Sequence, residues 1–198
     1  MTSEPLILAS KSASRRAMLE AAGVHYESIP ANVDERAIER ALDGEGPTQI
    51  AEALAVAKAA AIAADRSNRL VLGSDSLIVV GDKRFDKPET REDAAHHLRQ
   101  FSGKTMFLHS AAALVCGSTC EWSHVETAQL KVRELSDEFI EHYLSIEWPA
   151  VSQTVGCFRI EAMGVQLFEA IEGDQFTVLG MPLIPVLSAL RDHGVLIK

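Results

Sequence analysis

The stretch ILASKSASRRAML, residues 7–19, places an apolar run, a polar turn and an amphipathic segment in direct succession. The apolar run predicts a short buried strand, and the segment after the turn predicts a helix that begins at Ser12 or Ser14 and ends at Gly23. Three serines and three basic residues lie within positions 10–16. A strand that runs directly into a helix is typical of α/β proteins.

The rest of the chain continues this alternation of strand and helix patterns. Helices are predicted over residues 34–42, 47–66, 90–101, 136–147 and 181–194, and strands over 24–30, 106–116, 121–132, 155–160 and 164–173. LVLGSDSLIVV, residues 70–80, predicts a strand pair or a kinked strand, and GDKRFDKP, residues 81–88, predicts a hairpin or a loop. Thr90 with Asp93 resembles a capping box, and the strands at 106–116 and 121–132 are expected to join around Gly117. We therefore expect an α/β (α+β) fold with a mixed β-sheet and flanking helices, in a single domain over residues 1–198.

Composition limits the class of protein. The 198 residues carry a formal net charge of −9, which argues against a protein that binds nucleic acid polymers. The N-terminus lacks a signal-peptide pattern and no apolar run approaches the ~18 residues of a membrane span, so we expect no membrane partner. The three cysteines form no zinc-binding pattern, which favours reduced thiols and a cytoplasmic location.

The turn at residues 10–16 is a candidate anion site. Backbone N–H groups and the dipole of the following helix would face a ligand there, and Lys11, Arg15 and Arg16 would add positive charge. A plain helix cap with solvent-facing arginines explains the same residues equally well.

Asp75 interrupts the apolar strand pattern of residues 70–80, and a buried carboxylate is costly unless it has partners. Its position indicates a metal ligand, a general base or a hydrogen-bonded structural acid, and we favour the first two roles. Glu35 becomes significant if it reaches Asp75, because two convergent carboxylates suit Mg²⁺ or Mn²⁺ that bridges phosphate oxygens. Lys58 and Lys87 are candidate phosphate clamps, although a single lysine is more often a surface residue.

Seven short motifs resemble, in order, those of the Maf family of nucleoside triphosphate pyrophosphatases. They are LASKSASRRAML (8–19), VDER (33–36), LAVAKA (54–59), GSDS (73–76), FDKP (85–88), FSGKT (101–105) and EGDQFTVLGMPL (172–183). The resemblance implies two lobes around a nucleotide-binding cleft. It also implies hydrolysis between the α- and β-phosphates with Mg²⁺ or Mn²⁺, which yields the monophosphate and pyrophosphate.

The same resemblance implies roles for individual residues. Asp75 matches the family's proton acceptor for the attacking water, and Glu35 matches a catalytic or metal-linked carboxylate. We therefore expect a catalytic set of Asp75, Glu35, Lys58 and Lys87, a metal held by Glu35 and Asp75, and phosphate contacts from Ser10, Ser12 and Arg15.

Ser14, Ser76 and Glu161 occupy positions that differ between branches of the family. The dTTP/UTP branch carries Arg, Thr and Gln there, whereas CFRIEAMG, residues 157–164, resembles the FxSEG motif of the branch that acts on 7-methylguanosine triphosphate. That branch often has an aromatic residue at the Ser14 position and Gln at the Ser76 position. A carboxylate at Glu161 can accept the N1–H and amino hydrogens of guanine and attracts the cationic N7-methyl base, but it pairs poorly with uracil.

The preferred function is hydrolysis of 7-methyl-GTP or another modified nucleotide, which would keep modified nucleotides out of nucleic acids. The alternatives are a dTTP/UTP pyrophosphatase, or a non-catalytic nucleotide-binding regulator of septum formation and cell division, and a homodimer is left open. A phosphotransferase is disfavoured because SGKT, residues 102–105, lacks the first glycine of a P-loop, where this chain has Leu98.

Overall fold

The computed structural model describes residues 5–198, which form seven strands and seven α-helices. The strands are β1 (Leu6–Leu8), β2 (Tyr26–Ser28), β3 (Leu70–Val80), β4 (Lys83–Phe85), β5 (Thr105–Cys116), β6 (Thr119–Val132) and β7 (Phe168–Glu172). The helices are α1 (Ala13–Ala21), α2 (Glu35–Ala41), α3 (Pro47–Ala63), α4 (Arg91–Phe101), α5 (Asp137–Glu147), α6 (Gln175–Val178) and α7 (Leu183–Asp192).

The seven strands form one mixed sheet. Its order is β2-β1-β3-β5-β6-β7, with β4 paired to β3. Strand β1 runs parallel to both β2 and β3, whereas β4 and β7 are antiparallel to β3 and β6. The predicted α/β fold with a mixed sheet and flanking helices is therefore confirmed. Among residues 5–198, no helix combines the length and the apolar character needed to cross a bilayer.

The chain divides into two compact units. The described part of the first runs from residue 5 to Ser76 and adds Ser110–Glu126 and Gln175–Lys198, whereas the second comprises Leu77–His109 and Thr127–Asp174. Strands β3, β5 and β6 contribute residues to both units. The predicted arrangement of two lobes around a nucleotide-binding cleft stays a prediction.

Both faces of β1 are buried in the first unit, as its unbroken apolar sequence predicts. Leu6 and Leu8 pack with side chains of α1 and α7, whereas Ile7 packs with side chains of α3 on the opposite face. This division follows from the alternation of side chains along a strand. The strand is thereby fixed from both sides, and the polar turn that follows it starts from a defined position.

Helix α3 packs against the sheet mainly through alanines. Its buried face consists of Ala51, Leu54, Ala55, Ala59, Ile62 and Ala63. The apolar stripe expected from the sequence (Ile50, Leu54, Ala57 and Ala61) is wrong except at Leu54, because alanines fill the helix on all sides and give the pattern no clear direction.

Gly73 explains how closely α3 packs against β3. A Cβ built on this glycine would collide with the carbonyl oxygen of Ala55 and would lie 2.8 Å from the amide nitrogen of Ala59. The backbones of α3 and β3 can approach this closely only where β3 has no side chain. The contact brings Lys58, one residue before Ala59, beside the centre of β3.

Other local predictions are confirmed with small corrections. Residues 70–80 form a single strand rather than a pair. The hairpin or loop predicted over residues 81–88 is a hairpin, in which Ile78 of β3 lies opposite Phe85 of β4. Thr90 and Asp93 form the expected capping box at the start of α4. Strands β5 and β6 turn at Gly117, whose φ of 57° lies in the left-handed region.

The strand predicted over residues 155–160 is wrong. This segment contains a 3₁₀ turn in which Gly156 and Cys157 have φ values of 83° and 55°, and left-handed residues interrupt an extended strand. Strand β7 likewise begins at Phe168 rather than at residue 164, because Met163–Leu167 form a 3₁₀ helix. Short apolar patterns fit strands and buried turns alike, so the sequence could not separate them.

Candidate active site

The polar turn after β1 is built around Ser10, a residue that is 8% exposed. Its Oγ accepts hydrogen bonds from the backbone N–H of Ser12 at 3.2 Å and from Arg15 Nη1 at 3.3 Å. Ser12 is the N-cap of α1, since its Oγ accepts from the Arg15 N–H at 3.4 Å, and Ser14 Oγ lies 3.1 Å from Ser12 Oγ. All three serine hydroxyls therefore lie around the N-terminal end of α1, with Ser10 two residues before the N-cap.

Arg15 points into the protein rather than into solvent. Its Nε donates to the carbonyl oxygen of Gly180 at 2.9 Å, and its Nη1 donates to the carbonyl oxygen of Ser74 at 2.9 Å. Its Nη2 donates to Ser76 Oγ, also at 2.9 Å. The alternative of two solvent-facing arginines is therefore wrong for Arg15, although Arg16 is exposed.

Arg15 thus joins the turn to the middle of β3. Burial lowers the pKa of its guanidinium, while the charges of Asp75 and Glu35 oppose that shift. Because an arginine stays protonated in proteins, the turn holds a partly buried positive charge beside the central strand.

Lys58 connects the two predicted carboxylates. Its Nζ lies 2.5 Å from Asp75 Oδ1 and 2.9 Å from Glu35 Oε1. The side chains of Lys58 and Asp75 are 14% and 10% exposed, whereas the side chain of Glu35 is 48% exposed. The structure therefore brings Glu35, from the first turn of α2, and Asp75, from the middle of β3, onto one ammonium group of α3.

The environment of Asp75 sets its proton affinity. Burial raises the pKa of this carboxyl above its ordinary value, and the positive charges of Lys58 and Arg15 act against that rise. The carboxyl group is thus a stronger proton acceptor than an exposed aspartate, and two cations adjoin it.

Glu35 and Asp75 have the oxygen donors that a divalent cation prefers, although in this structure both pair with the ammonium of Lys58. Carboxylate oxygens suit Mg²⁺ and Mn²⁺, and Mg²⁺ is usually held by one or two carboxylates together with substrate phosphates. Glu35 and Asp75 supply two such groups that converge on one point, the ammonium of Lys58. In residues 5–198 no group of three or more His, Cys, Asp or Glu side chains could hold a metal by itself.

The groups that hold Ser76 and Arg15 in place are not predicted by the sequence. Ser76 Oγ donates to the Gly180 carbonyl oxygen at 3.0 Å and lies 3.1 Å from the hydroxyl of Ser110, whose own proton goes to the carbonyl oxygen of Thr177. Ser110 is a polar residue inside the apolar run of β5, and this interruption is the sequence feature that indicates a buried hydrogen-bonding group. The acceptor at Gly180 is a backbone carbonyl, so no residue type in the sequence indicates it. The φ of 102° at this position accounts for the glycine.

Lys87 and Glu161 belong to the second unit. Lys87 follows β4 and is one of the residues that line a depression of about 270 Å³, together with Phe85, Pro88 and His97. Glu161 is exposed in the turn before the 3₁₀ helix Met163–Leu167. The other predicted site residues, from Ser10 to Ser76, all belong to the first unit.

The sequence of this chain matches a known protein family. Residues 5–193 match the model of the family described as Maf-like protein. The 7-methyl-GTP pyrophosphatase of Rhizobium meliloti (strain 1021) is 45% identical over 193 residues, which cover 96% of this chain and 97% of that protein. The nucleoside triphosphate pyrophosphatase of Nitrobacter hamburgensis (strain DSM 10229 / NCIMB 13809 / X14) is 42% identical over 193 residues, which cover 98% of this chain and 96% of that protein.

Among solved structures, a HAM1 protein from Coxiella burnetii matches at 14% identity with a TM-score of 0.43, covering 66% of this chain and 73% of that one. This likeness is too distant to bear on the function. The match of the family model over nearly the whole chain, with relatives of more than 40% identity, identifies the family. The chain belongs to the Maf family.

Proposed function

We propose that the protein hydrolyses nucleoside triphosphates between the α- and β-phosphates and releases a nucleoside monophosphate and pyrophosphate. The observation that carries this proposal is the shared ammonium of Lys58, which holds Asp75 and Glu35 together in the unit that contains the serine and arginine turn. The names of the relatives, nucleoside triphosphate pyrophosphatase and 7-methyl-GTP pyrophosphatase, support the same reaction.

Asp75 has the chemistry of a proton acceptor for the attacking water. The water oxygen forms a new bond to phosphorus while its proton passes to the carboxylate, and the P–O bond of the bridging oxygen breaks. The electron pair of that bond leaves with the pyrophosphate or, for attack at the β-phosphorus, with the monophosphate. Either route consumes one water and gives the same two products, because both cleave the same bridge.

The positive groups would neutralise charge that develops on the phosphoryl oxygens. We assign phosphate contacts to Ser10, Ser12 and Arg15, whose turn also presents the N-terminal end of α1 to an anion. Lys58 and Lys87 would add positive charge to the phosphate chain. When bound, Mg²⁺ or Mn²⁺ held by Glu35 and Asp75 would supply further charge neutralisation.

Glu161, Ser14 and Ser76 would select the base. An exposed carboxylate at Glu161 can accept the N1–H and amino hydrogens of a guanine and attract its cationic N7-methylated form. Ser14 brings no positive charge that would repel such a base. We therefore propose 7-methyl-GTP or another modified nucleotide as the substrate, with dTTP or UTP as the alternative.

The acidic and basic set favours a catalyst over a non-catalytic regulator of septum formation. A binding protein would need the positive groups for the phosphates, but it would not need a buried carboxylate with a raised pKa beside them. We also propose that residues 1–198 act as one domain on free nucleotides in the cytoplasm. The free thiols of Cys116, Cys120 and Cys157 are consistent with that reducing compartment.

A pyrophosphate-release screen tests the proposal. The purified protein is assayed with Mg²⁺ and with Mn²⁺ on the four canonical ribonucleoside triphosphates, dTTP and 7-methyl-GTP. We expect pyrophosphate from several of them and the highest kcat/KM for 7-methyl-GTP. Release of pyrophosphate from none of these nucleotides would contradict the proposed reaction, and a preference for UTP or dTTP would contradict only the proposed substrate.

A further inference from the structure

Glu147, the last residue of α5, is a buried carboxylate that plays no part in the proposed chemistry. Its side chain is 3% exposed. A carboxylate removed from water in this way is costly unless several donors compensate it. The positions of its donors therefore show what the residue holds in place.

Both oxygens of Glu147 accept hydrogen bonds from the segment that carries Glu161. Oε2 accepts from Arg159 Nε at 2.8 Å, and Oε1 accepts from the backbone N–H of Met163 at 3.1 Å. The two donors lie two residues before and two residues after Glu161. The hydrogen bond to Glu147 raises the pKa of Arg159, the charges of Glu147 and Glu161 act in the same direction, and burial opposes them.

The segment between these donors is a closed turn. The N–H of Ala162 donates to the carbonyl oxygen of Arg159 at 3.1 Å. A Cβ on Gly164 would lie 2.5 Å from that same oxygen and 2.6 Å from the Arg159 nitrogen, so only glycine allows the chain to fold back here. One helical turn earlier in α5, the hydroxyl of Tyr143 donates to the carbonyl oxygen of Cys157 at 2.9 Å.

We infer that Glu147 is a positioning residue for base selection, because it fixes the Arg159–Met163 turn from which Glu161 would read the nucleobase. The inference rests on the proposed function of Glu161. A carboxylate discriminates best between donors and acceptors on a base when its position is fixed, since a mobile carboxylate can turn away from an acceptor edge and loses entropy on binding. Glu147 provides that fixation from a helix, without contact to the substrate.

The Glu147→Gln variant tests the inference in the full-length protein. A glutamine has one oxygen and one NH₂ group, so it must place a donor against either Arg159 Nε or the N–H of Met163. We expect the ratio of kcat/KM for 7-methyl-GTP to that for UTP to fall by about tenfold, since misplacing a positioned group by ~1 Å can cost up to a hundredfold. The change should appear in KM for 7-methyl-GTP, with kcat close to that of the unmodified protein.

The Arg159→Gln variant removes the other partner at a side chain that is 37% exposed, and it provides the same measurement if Glu147→Gln folds poorly. Glu141→Gln is the matched control, because Glu141 is an exposed carboxylate of the same helix that pairs with Arg91 at 2.8 Å. The control should leave the ratio unchanged.

The Glu161→Gln background separates positioning from a general structural role. In that background Glu147→Gln should change the ratio no further, because the group that it positions is already absent. An equal loss with and without Glu161 would overturn the inference, as would an unchanged ratio in both Glu147→Gln and Arg159→Gln. An unchanged ratio in Glu161→Gln alone would overturn the proposed base selection itself, and the inference with it.

Discussion

Lys58 Nζ lies 2.5 Å from Asp75 Oδ1 and 2.9 Å from Glu35 Oε1, so one ammonium group joins carboxylates from two other elements of the fold. The close packing of α3 against Gly73 makes this arrangement possible, because it brings the helix that carries Lys58 to the strand that carries Asp75. The stability that these two ion pairs give to the fold and the proposed chemistry therefore depend on the same three side chains.

Loss of the Lys58 charge should destabilise the fold by leaving Asp75 buried without its main partner. We expect Lys58→Met to lower the free energy of unfolding by about 3 kcal/mol, as is typical when one member of a buried ion pair is removed. The double variant Lys58→Met/Asp75→Asn should lose clearly less than the sum of the two single variants. Urea denaturation measures all three, and strictly additive losses would show that the pair does not interact.

Gly73→Ala should be the most damaging glycine-to-alanine change near the site. Its Cβ would collide with the Ala55 carbonyl oxygen, which is backbone and cannot turn aside. We expect a loss of about 3 kcal/mol or more, since overpacking of a tight core costs 1–3 kcal/mol and occasionally more. Activity should fall as well, because α3 must move away from β3.

Gly194→Ala is the control for Gly73→Ala. Gly194 has a φ of 72° but no heavy atom within 4 Å of the added Cβ, so only backbone strain of about 1 kcal/mol should appear. Thermal unfolding of the two variants measures the difference. Equal losses would show that the contact between α3 and β3 is not the cause.

The base preference should follow the negative charge of Glu161 and the absence of charge at Ser14. Ser14→Arg with Glu161→Gln should lower the ratio of kcat/KM for 7-methyl-GTP to that for UTP by about tenfold or more, since each unpaired polar group costs about 1–3 kcal/mol. The same two changes at exposed positions, Ser118→Arg with Glu138→Gln, should leave the ranking of nucleotides unchanged. An unchanged ranking in the first variant would contradict the proposed selection by these residues.

His109 should make stability depend on pH below neutrality. This buried histidine is hydrogen-bonded to Thr127 Oγ1 at 2.9 Å, and burial lowers its pKa. The unfolded chain, with a histidine pKa of about 6.5, therefore takes up the proton first as the pH falls. The stability that neutral His109 provides is complete above about pH 6.5 and is lost as the pH falls through the lower, folded-state value.

His109→Gln should flatten this dependence. The difference in unfolding free energy between the unmodified protein and the variant should shrink between pH 7 and pH 5, as measured by urea denaturation at each pH. His25→Gln changes an exposed histidine and should follow the unmodified protein. A constant difference across this pH range would contradict a role for His109.

The alternation of strands and helices was readable from the sequence because each element has a strong local signal. The run at Leu6–Leu8, the capping box at Thr90 and the turn at Gly117 are all determined within a few residues. The family was readable for a related reason, since its motifs keep their order along the chain. The turn at Gly156 and Cys157 was missed because its apolar residues fit a strand equally well.

The partners of the site residues could not be read in the same way. Arg15 bonds the carbonyl oxygen of Gly180, 165 positions away in the sequence, and a backbone acceptor leaves no trace in residue identity. Glu147 looks like any helical glutamate until the structure shows that it is buried against Arg159 and Met163. Long-range hydrogen bonds to the backbone are therefore the part of the site that needed coordinates.

The most direct test of the central claim is identification of the products by phosphorus NMR. With Mg²⁺ or Mn²⁺, the protein should convert a nucleoside triphosphate into equal amounts of the monophosphate and pyrophosphate, with no diphosphate. Asp75→Asn should slow this conversion by about 10²–10⁴-fold, the usual contribution of a general base, with its fold retained, whereas Asp65→Asn at an exposed site should not. Formation of the diphosphate and orthophosphate, or full activity in a folded Asp75→Asn protein, would contradict the account.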